Sequence, residues 1–384
     1  MRTMNFARSD MKQTQEQRAG MALSARTFWM DAVRSAALFG IIGCHAFALG
    51  NNAVMELWMA GGKTAFLSQV CFLYAARFGV PFFIMLSGAL LLRKRFDTAE
   101  QILGFYKTSF LPLFLATEAW VIILHAWYYL STPGYELWSR GSLKLLARDL
   151  LLWKDSLYTH MWYMREILSV YVFVPFLAAF VQRADRRVIA APVLFLLYCM
   201  IGVHTASLGY RLLFQETFYV CPDFIMFVVY MLIGYWIAEK KALRRIPALA
   251  LCLVPLAAVF LQVLVLLCEL GRIGVWEQML NYSNVFICSG SIAVFALFAR
   301  GSGECRWRAA ARTAEFVSKR SFGAYIVHFP ILLWLCGKAP FLLVSSCALI
   351  NICILTAVSA AASLALVQLL GLVPFLRCWL LHIK

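Results

Sequence analysis

FWMDAVRSAALFGIIGCHAFAL, residues 28–49, decides the fold class, because it is an apolar stretch of membrane-spanning length that carries Asp31, Arg34 and His45. An α-helix turns about 100° per residue, so eleven positions leave Arg34 and His45 only about 20° apart around the axis and roughly 16 Å apart along it. Asp31 falls on the same stripe, about 60° from Arg34. Ionisable side chains are expensive inside a bilayer and mark a function there by default. The stretch therefore predicts a transmembrane helix with one functional face.

The composition of the whole chain is that of a polytopic membrane protein. Of the 384 residues, 62% are hydrophobic, and the mean hydropathy is +0.77, whereas soluble domains are about half apolar. The net charge of +16 does not indicate nucleic acid, because the basic residues lie in short runs between apolar stretches, as expected of cytoplasmic loops. We expect a lipid bilayer and no nucleic acid among the partners. The 12 cysteines form no set with zinc-site spacing, so we expect no bound metal.

Apolar windows of about 20 residues predict ten transmembrane helices and an all-α membrane bundle. The windows cover residues 28–49, 65–92, 108–130, 161–181, 188–206, 219–237, 246–268, 281–299, 322–336 and 341–370. The segments on the side of the two termini hold 24 of the 35 Lys and Arg residues, and those on the opposite side hold 8. This bias predicts that both termini are cytoplasmic and that the protein spans a bacterial plasma membrane several times. Residues 1–26 are then a cytoplasmic tail, and residues 27–384 form a single membrane domain.

Further ionisable groups lie within or at the ends of these spans, at Arg77, Glu118, His125, His160, Arg165, Glu166, Asp223 and His328. Each has an ordinary structural interpretation, since buried charges are commonly paired and a buried histidine can bond a carbonyl. Asp223, for example, can neutralise Arg77. A bundle that only spans the membrane does not need so many of them, and the set predicts a polar cavity and hence a substrate.

The longest segment on the opposite side, residues 131–160, contains the amphipathic stretch LKLLARDLLLW at residues 143–153. Such a stretch can lie in the plane of the membrane interface. It either covers a site that opens on that side or is an ordinary interfacial helix.

Four sequence features occur in an order that is typical of one family. They are Arg-x10-His with a preceding Asp-x-x-Arg in the first span, PFFIMLSG at residues 81–88, HMWYM at 160–164 and SFGAYIVH at 321–328. In these features the chain resembles the acyltransferase-3 family of bacterial membrane O-acyltransferases, from about residue 26 to the last span. The third feature is similar to the corresponding segment in the branch of the family that includes the enterobacterial common antigen O-acetyltransferase.

One departure from the family pattern concerns the donor. Many members carry Arg-x-x-Arg just before the third span, where this chain has Lys107-Thr108-Ser109-Phe110 and keeps only the first cation. If that pair holds the phosphates of coenzyme A in the family, the resemblance assigns the role here to Lys107, assisted by Arg93, Lys94 or Arg95.

The resemblance implies transfer of an acyl group, most simply acetyl, from acyl-CoA to a hydroxyl of an envelope glycan or lipid-linked sugar, with no permanently bound cofactor. Imidazole titrates near neutral pH, so we assign the general base to His45. Arg34 is assigned to the phosphate or thioester carbonyl of the donor, with Asp31 orienting it. The alternative for Arg34 is a side chain that extends to the lipid headgroups.

The acceptor side is assigned to His160, Trp162 and His328, with Trp162 stacking on a sugar, while Glu166 and Arg77 pair to hold the cavity open. A secondary transporter or exporter of a small polar solute explains the buried charges equally well, and so does a membrane sensor or resistance protein that only binds a ligand. Transporters often contain inverted repeats, and none is visible in the sequence.

Overall fold

The computed structural model describes residues 28–49, 62–132, 134, 136–151, 157–183, 186–214, 223–268, 279–301, 307–339 and 347–383, and these contain helices and no β-strand. The predicted tail 1–26 lies outside the described residues. In chain order the α-helices are α1 (Phe28–Leu49), α2 (Lys63–Ala76), α3 (Gly79–Leu91), α4 (Ala99–Phe105), α5 (Leu111–Ser131), α6 (Arg140–Leu151), α7 (Trp162–Val172), α8 (Val174–Arg183), α9 (Arg186–Leu197), α10 (Val203–Phe214), α11 (Asp223–Ala238), α12 (Ala248–Cys268), α13 (Val285–Arg300), α14 (Arg308–Lys338) and α15 (Ala348–Leu370).

Each predicted span coincides with an apolar helical segment. Among the described residues, six segments are long and apolar enough to cross a membrane, and the pair α7–α8, bent by 52°, makes a seventh if it is one span. Three shorter apolar helices occupy the fifth, sixth and eighth predicted positions. The protein is therefore an all-helical, multi-pass membrane protein, while the number ten and the cytoplasmic termini stay predictions.

One predicted boundary was wrong by several turns. The ninth span, predicted to begin at residue 322, belongs to a helix that begins at Arg308. Hydropathy windows stop where Arg and Lys appear, but a helix can continue through charged residues, because its backbone hydrogen bonds do not depend on apolar side chains. α15 begins at Ala348, and residues 340–346 before it lie outside the described part.

The second span is broken near its middle, between the end of α2 at Ala76 and the start of α3 at Gly79. Pro81 explains the break, since it has no N–H to donate to the carbonyl of Arg77 four residues earlier, and its ring crowds that carbonyl. Arg77 lies in this two-residue break.

Glycines allow the central helices to approach closely. A Cβ atom at Gly40 of α1 would lie 2.7 Å from the carbonyl oxygen of Ala76, and one at Gly79 would lie 2.7 Å from that of Ala37. A Cβ at Gly88 of α3 would clash with the backbone of α11 in the same way. Small residues at such crossings let the backbones pack tightly in a bilayer. The crossings hold α1 against α2 and α3.

Candidate active site

The ionisable stripe of α1 faces α14. The Nη1 of Arg34 donates to the Oγ of Ser318 at 2.9 Å, and the Oγ of Ser35 donates to the carbonyl of Ala314 at 3.2 Å. The carboxylate of Asp31 interacts with both Arg34 and Ser318. Arg34 therefore points into the bundle, and the alternative of an extended side chain at the headgroups does not describe this structure.

Arg34 borders a cavity of about 410 Å³, which we call the Arg34 cavity. It lies between α1, α3, α5, α7, α14 and the C-terminal segment, on the side that the charge bias predicts to be cytoplasmic. Its polar lining residues are Arg34, Ser87, Tyr163, Tyr171, Ser318, Lys319, Ser321, Tyr325 and His382. Pockets of roughly 300–1,000 Å³ hold small-molecule ligands, so the cavity is large enough for one.

His45, His160 and His328 meet in what we call the histidine cluster. The ring centroid of His45 lies 5.2 Å from that of His328 and 6.3 Å from that of His160, and the last two are 5.3 Å apart. Phe329 closes one side, with its ring centroid 5.0 Å from those of His45 and His160. The sequence predicted all three histidines as site residues, although they lie on three separate elements.

Hydrogen bonds to backbone carbonyls orient two of these rings. The Nε2 of His160 lies 2.9 Å from the carbonyl oxygen of Ile326, and the Nδ1 of His328 bonds the carbonyl of Tyr325. A carbonyl accepts only, so each of these nitrogens carries the proton and the other ring nitrogen is an acceptor. The His160 Nδ1 and the His328 Nε2 are buried and have no hydrogen-bond partner among the described residues. An unmatched buried polar atom costs about 1–3 kcal/mol, and two ligand hydroxyls, each donating to one of these nitrogens, would satisfy them.

Tyr325 forms the wall between the Arg34 cavity and the histidine cluster. It lines the cavity, its ring centroid lies 5.8 Å from those of His160 and His328, and its hydroxyl donates to the carbonyl of His160. His45 is not among the residues that line the cavity. The Arg34 cavity and the histidine cluster are therefore neighbours that share Tyr325.

A second, much smaller cavity lies beyond the cluster. It measures about 20 Å³ and contains His125, Asp149, Tyr158 and Arg165; we call it the His125 pocket. A space of this size holds about one water. The ring centroid of Tyr158, in its wall, lies 6.2 Å from that of His160, so the pocket adjoins the cluster.

The predicted amphipathic helix, α6, covers the His125 pocket. Its Ser142 Oγ lies 2.8 Å from the Nε2 of His125, and the backbone carbonyl of Asp149 accepts from Arg165 at 3.0 Å. Ser142 and Asp149 are 1% and 5% exposed. α6 is therefore held to α5 and α7 by polar contacts that an ordinary interfacial helix does not need.

Not every predicted site residue comes to these cavities. Lys107, in a π-helical turn, and Arg93 and Arg95, in the loop after α3, are exposed and do not line the Arg34 cavity. Trp162 lies nearly parallel to Phe227 and Tyr282, at interplanar angles of 17° and 22°.

Arg77, which the sequence predicted to pair with Glu166, donates to the hydroxyl of Tyr282 at 3.0 Å. Single-helix periodicity does not predict that partner, and the pairing with Glu166 stays a prediction.

Several cavity residues were missed from the sequence, among them Ser318, Lys319, Tyr163 and Tyr171. They are ordinary residue types that become functional only through the packing of helices distant in sequence. Tyr325 lies inside the SFGAYIVH segment, so that segment was the available signal for it.

The comparisons with known proteins give one match. The family model described as an acyltransferase domain, that of the acyltransferase-3 family, matches residues 27–372, nearly the whole chain. The chain matches no curated protein and no solved structure closely enough to support a relationship.

Proposed function

The chain belongs to the acyltransferase-3 family, and on that premise we propose that it transfers an acyl group, most simply acetyl, from acyl-CoA to a hydroxyl of an envelope glycan or lipid-linked sugar. The observation that supports this most strongly is the shared Tyr325 wall between the Arg34 cavity and the histidine cluster. It brings a cationic, ligand-sized space next to a set of potential bases.

The Arg34 cavity suits the donor. A guanidinium binds a phosphate or carbonyl oxygen through two parallel donors, and Ser318 fixes the side chain of Arg34 in the cavity. Lys319, whose ammonium pairs with Glu315 at 2.6 Å, adds a second cation to the lining. His45 lies about 16 Å farther along the same helix. We propose that the pantetheine arm spans this distance after Tyr325 moves aside.

The histidine cluster suits the chemical step. His45 accepts the proton of the acceptor hydroxyl as the oxygen bonds to the thioester carbonyl carbon, and the carbonyl oxygen takes the negative charge. The carbon–sulfur bond then breaks, and the thiolate takes the proton from His45 to leave as CoA thiol. The acceptor nitrogens of His160 and His328, unpartnered among the described residues, are available to orient hydroxyls of the sugar.

An apolar groove beside the cluster favours an acceptor carried on a lipid. It measures about 550 Å³, and every residue in its lining is apolar, from Trp120 and Trp127 on α5 to Trp334 on α14. Val327 and Pro330 in its wall flank His328 and Phe329. A hydrocarbon chain in this groove would lie next to the proposed base.

The test uses purified protein in nanodiscs with radiolabelled acetyl-CoA and lipid-linked glycans extracted from bacterial membranes. We expect free CoA to be released and label to enter the glycan fraction. Vesicles loaded with the same glycan extract serve for a transport assay in parallel. If the protein moves unmodified solute across the vesicle membrane and consumes no thioester, the transporter alternative replaces this proposal. If it binds a ligand but neither transfers acyl groups nor transports solute, it is a ligand-binding protein.

A further inference from the structure

Arg77 is a half-buried cation within the bundle. It lies at the break between α2 and α3, where the crossing at Gly40 and Gly79 presses α1 against it. Its guanidinium donates to the hydroxyl of Tyr282 and lies over that ring, 5.0 Å from the centroid. Its Nε is buried and has no hydrogen-bond partner among the described residues.

The described contacts of Arg77 do not neutralise its charge. Tyrosine is a neutral partner, and among the described side chains no carboxylate pairs with Arg77. The side chain of Asp223 lies outside that set. Removing a guanidinium from water without an anion is costly, and buried charges are normally paired. The Nε–H of Arg77, unpartnered among the described residues, is therefore available to donate to an anion.

The position of Arg77 links it to the histidine cluster. Its charge acts on both Cys44 and His45, which are neighbours on α1. Tyr282, which holds Arg77, lies nearly parallel to Trp162, two residues after His160. The crossing at Gly40 thus places the backbone at Arg77 between Arg34 and His45 along α1, and the guanidinium is close enough for its charge to act on His45.

We propose that Arg77 is a catalytic residue that binds an oxygen anion beside His45 during acyl transfer. This rests on the proposed function. As the acceptor oxygen bonds to the thioester carbon, the electron pair of the carbonyl moves to its oxygen, and Arg77 donates N–H groups to that oxyanion. When the carbon–sulfur bond breaks, the pair returns to re-form the carbonyl of the new ester, and the thiolate takes the proton held by His45. Arg77 itself gains and loses no atoms.

The same chemistry has a second possible source, a permanent carboxylate or phosphate on the acceptor. Kinetics separate the two, since an interaction made only in the transition state affects kcat, whereas one made equally in the ground state affects KM. We assign Arg77 to the transition state, because its charge lies next to the proposed base.

The test measures transfer from radiolabelled acetyl-CoA to extracted lipid-linked glycans by the full-length protein in nanodiscs. Arg77→Met is expected to lower kcat about 10²–10³-fold, the effect of losing one oxyanion donor, with little change in either KM. Arg77→Lys should recover part of this loss. Tyr74→Phe is the matched control, because it removes a buried phenol that bonds the carbonyl of Phe286 and leaves the hydrogen bond between Arg77 and Tyr282 in place. It should retain the wild-type kcat.

Defined outcomes overturn the assignment. A kcat for Arg77→Met within twofold of wild type, in protein of normal size-exclusion profile, rules out catalysis by Arg77. If Arg77→Met raises only the KM for the glycan and leaves kcat unchanged, Arg77 binds an anionic group of the acceptor instead. Recovery of kcat in the double variant Arg77→Met, Asp223→Asn shows a structural ion pair instead. If the wild type itself consumes no thioester, the proposed function fails, and this is distinct from failure at Arg77.

Discussion

The Arg34 cavity and the His125 pocket lie on either side of the histidine cluster and differ about twentyfold in size, at about 410 and 20 Å³. Residues from six segments surround the first, and α6 closes the second with bonds to His125 and Arg165. Under the proposed function, this difference is the one expected of a state that is open to the donor and closed to the acceptor. Acyl transfer would then require α6 to move on one side and Tyr325 on the other.

Loss of the proposed base, in the cluster between the two regions, should have the largest effect. His45→Ala removes the proposed base, which is typically worth about 10²–10⁴ in rate, so kcat should fall by that factor while binding of acetyl-CoA persists. Cys44→Ala is the control, since it is adjacent in sequence but about 100° away around the helix. Transfer to extracted glycans and equilibrium binding of labelled acetyl-CoA measure the two quantities. Full activity in His45→Ala would remove the histidine cluster from the mechanism.

The Arg34 cavity is tested by Arg34→Lys, which keeps the charge but loses the paired donors. A charged hydrogen bond is worth about 1.5–3 kcal/mol, so the KM for acetyl-CoA should rise about 10–100-fold, with a smaller change for the glycan. Ser318→Ala, which removes only the partner of Arg34 at 2.9 Å, should raise it less. If Arg34→Lys raises only the KM for the glycan, the Arg34 cavity binds the acceptor rather than the donor.

The closed state of the His125 pocket is tested by Ser142→Ala on α6. The change removes one neutral bond, worth about 1 kcal/mol, and should favour the open position of α6. The apparent KM for the glycan should then fall about two- to fivefold, because a larger fraction of the protein can bind it. Ser131→Ala is the control, since that hydroxyl is exposed and bonds only the carbonyl of Tyr128. An unchanged glycan KM in Ser142→Ala would mean that α6 does not limit access.

The smallest expected effect is on the KM for acetyl-CoA when Lys319 or Lys107 is replaced. Lys319 lines the Arg34 cavity and Lys107 does not, so Lys319→Gln should raise the KM for acetyl-CoA about two- to threefold, as expected for an exposed charge. Lys107→Gln should leave it unchanged. Titration with dephospho-CoA would identify the phosphate concerned. If Lys107→Gln raises the KM for acetyl-CoA and Lys319→Gln does not, the donor phosphates bind at Lys107, as the family pattern assigns.

The sequence predicted elements better than it predicted contacts. Hydropathy located every apolar helix, because the bilayer demands long apolar stretches whatever the tertiary structure. Period analysis of one helix placed Asp31, Arg34 and His45 on one face, and that face is the one that meets α14. Both results depend only on local chain geometry.

Residues that act through a partner from a distant helix were beyond the reach of the sequence. Ser318 reaches Arg34 across 284 positions of sequence, and Tyr282 reaches Arg77 across 205. Neither separation leaves a periodic signal. Arg77 was expected to bond Glu166 because opposite charges attract, whereas the partner in the structure, Tyr282, comes from a segment distant in sequence. Tyr325 was visible only as part of a motif, and its position as a wall required the structure.

The most direct test of the central claim, that a donor bound at Arg34 delivers its acyl end to His45, is affinity labelling with bromoacetyl-CoA. Its reactive carbon occupies the place of the acyl group, and alkylation joins it to a nucleophile with loss of bromide. Peptide mass spectrometry of the labelled protein should find the adduct on His45, His160 or His328, with excess CoA protecting and Arg34→Lys labelling more slowly. Label found only on exposed thiols such as Cys378, with all three histidines unmodified, would contradict the account.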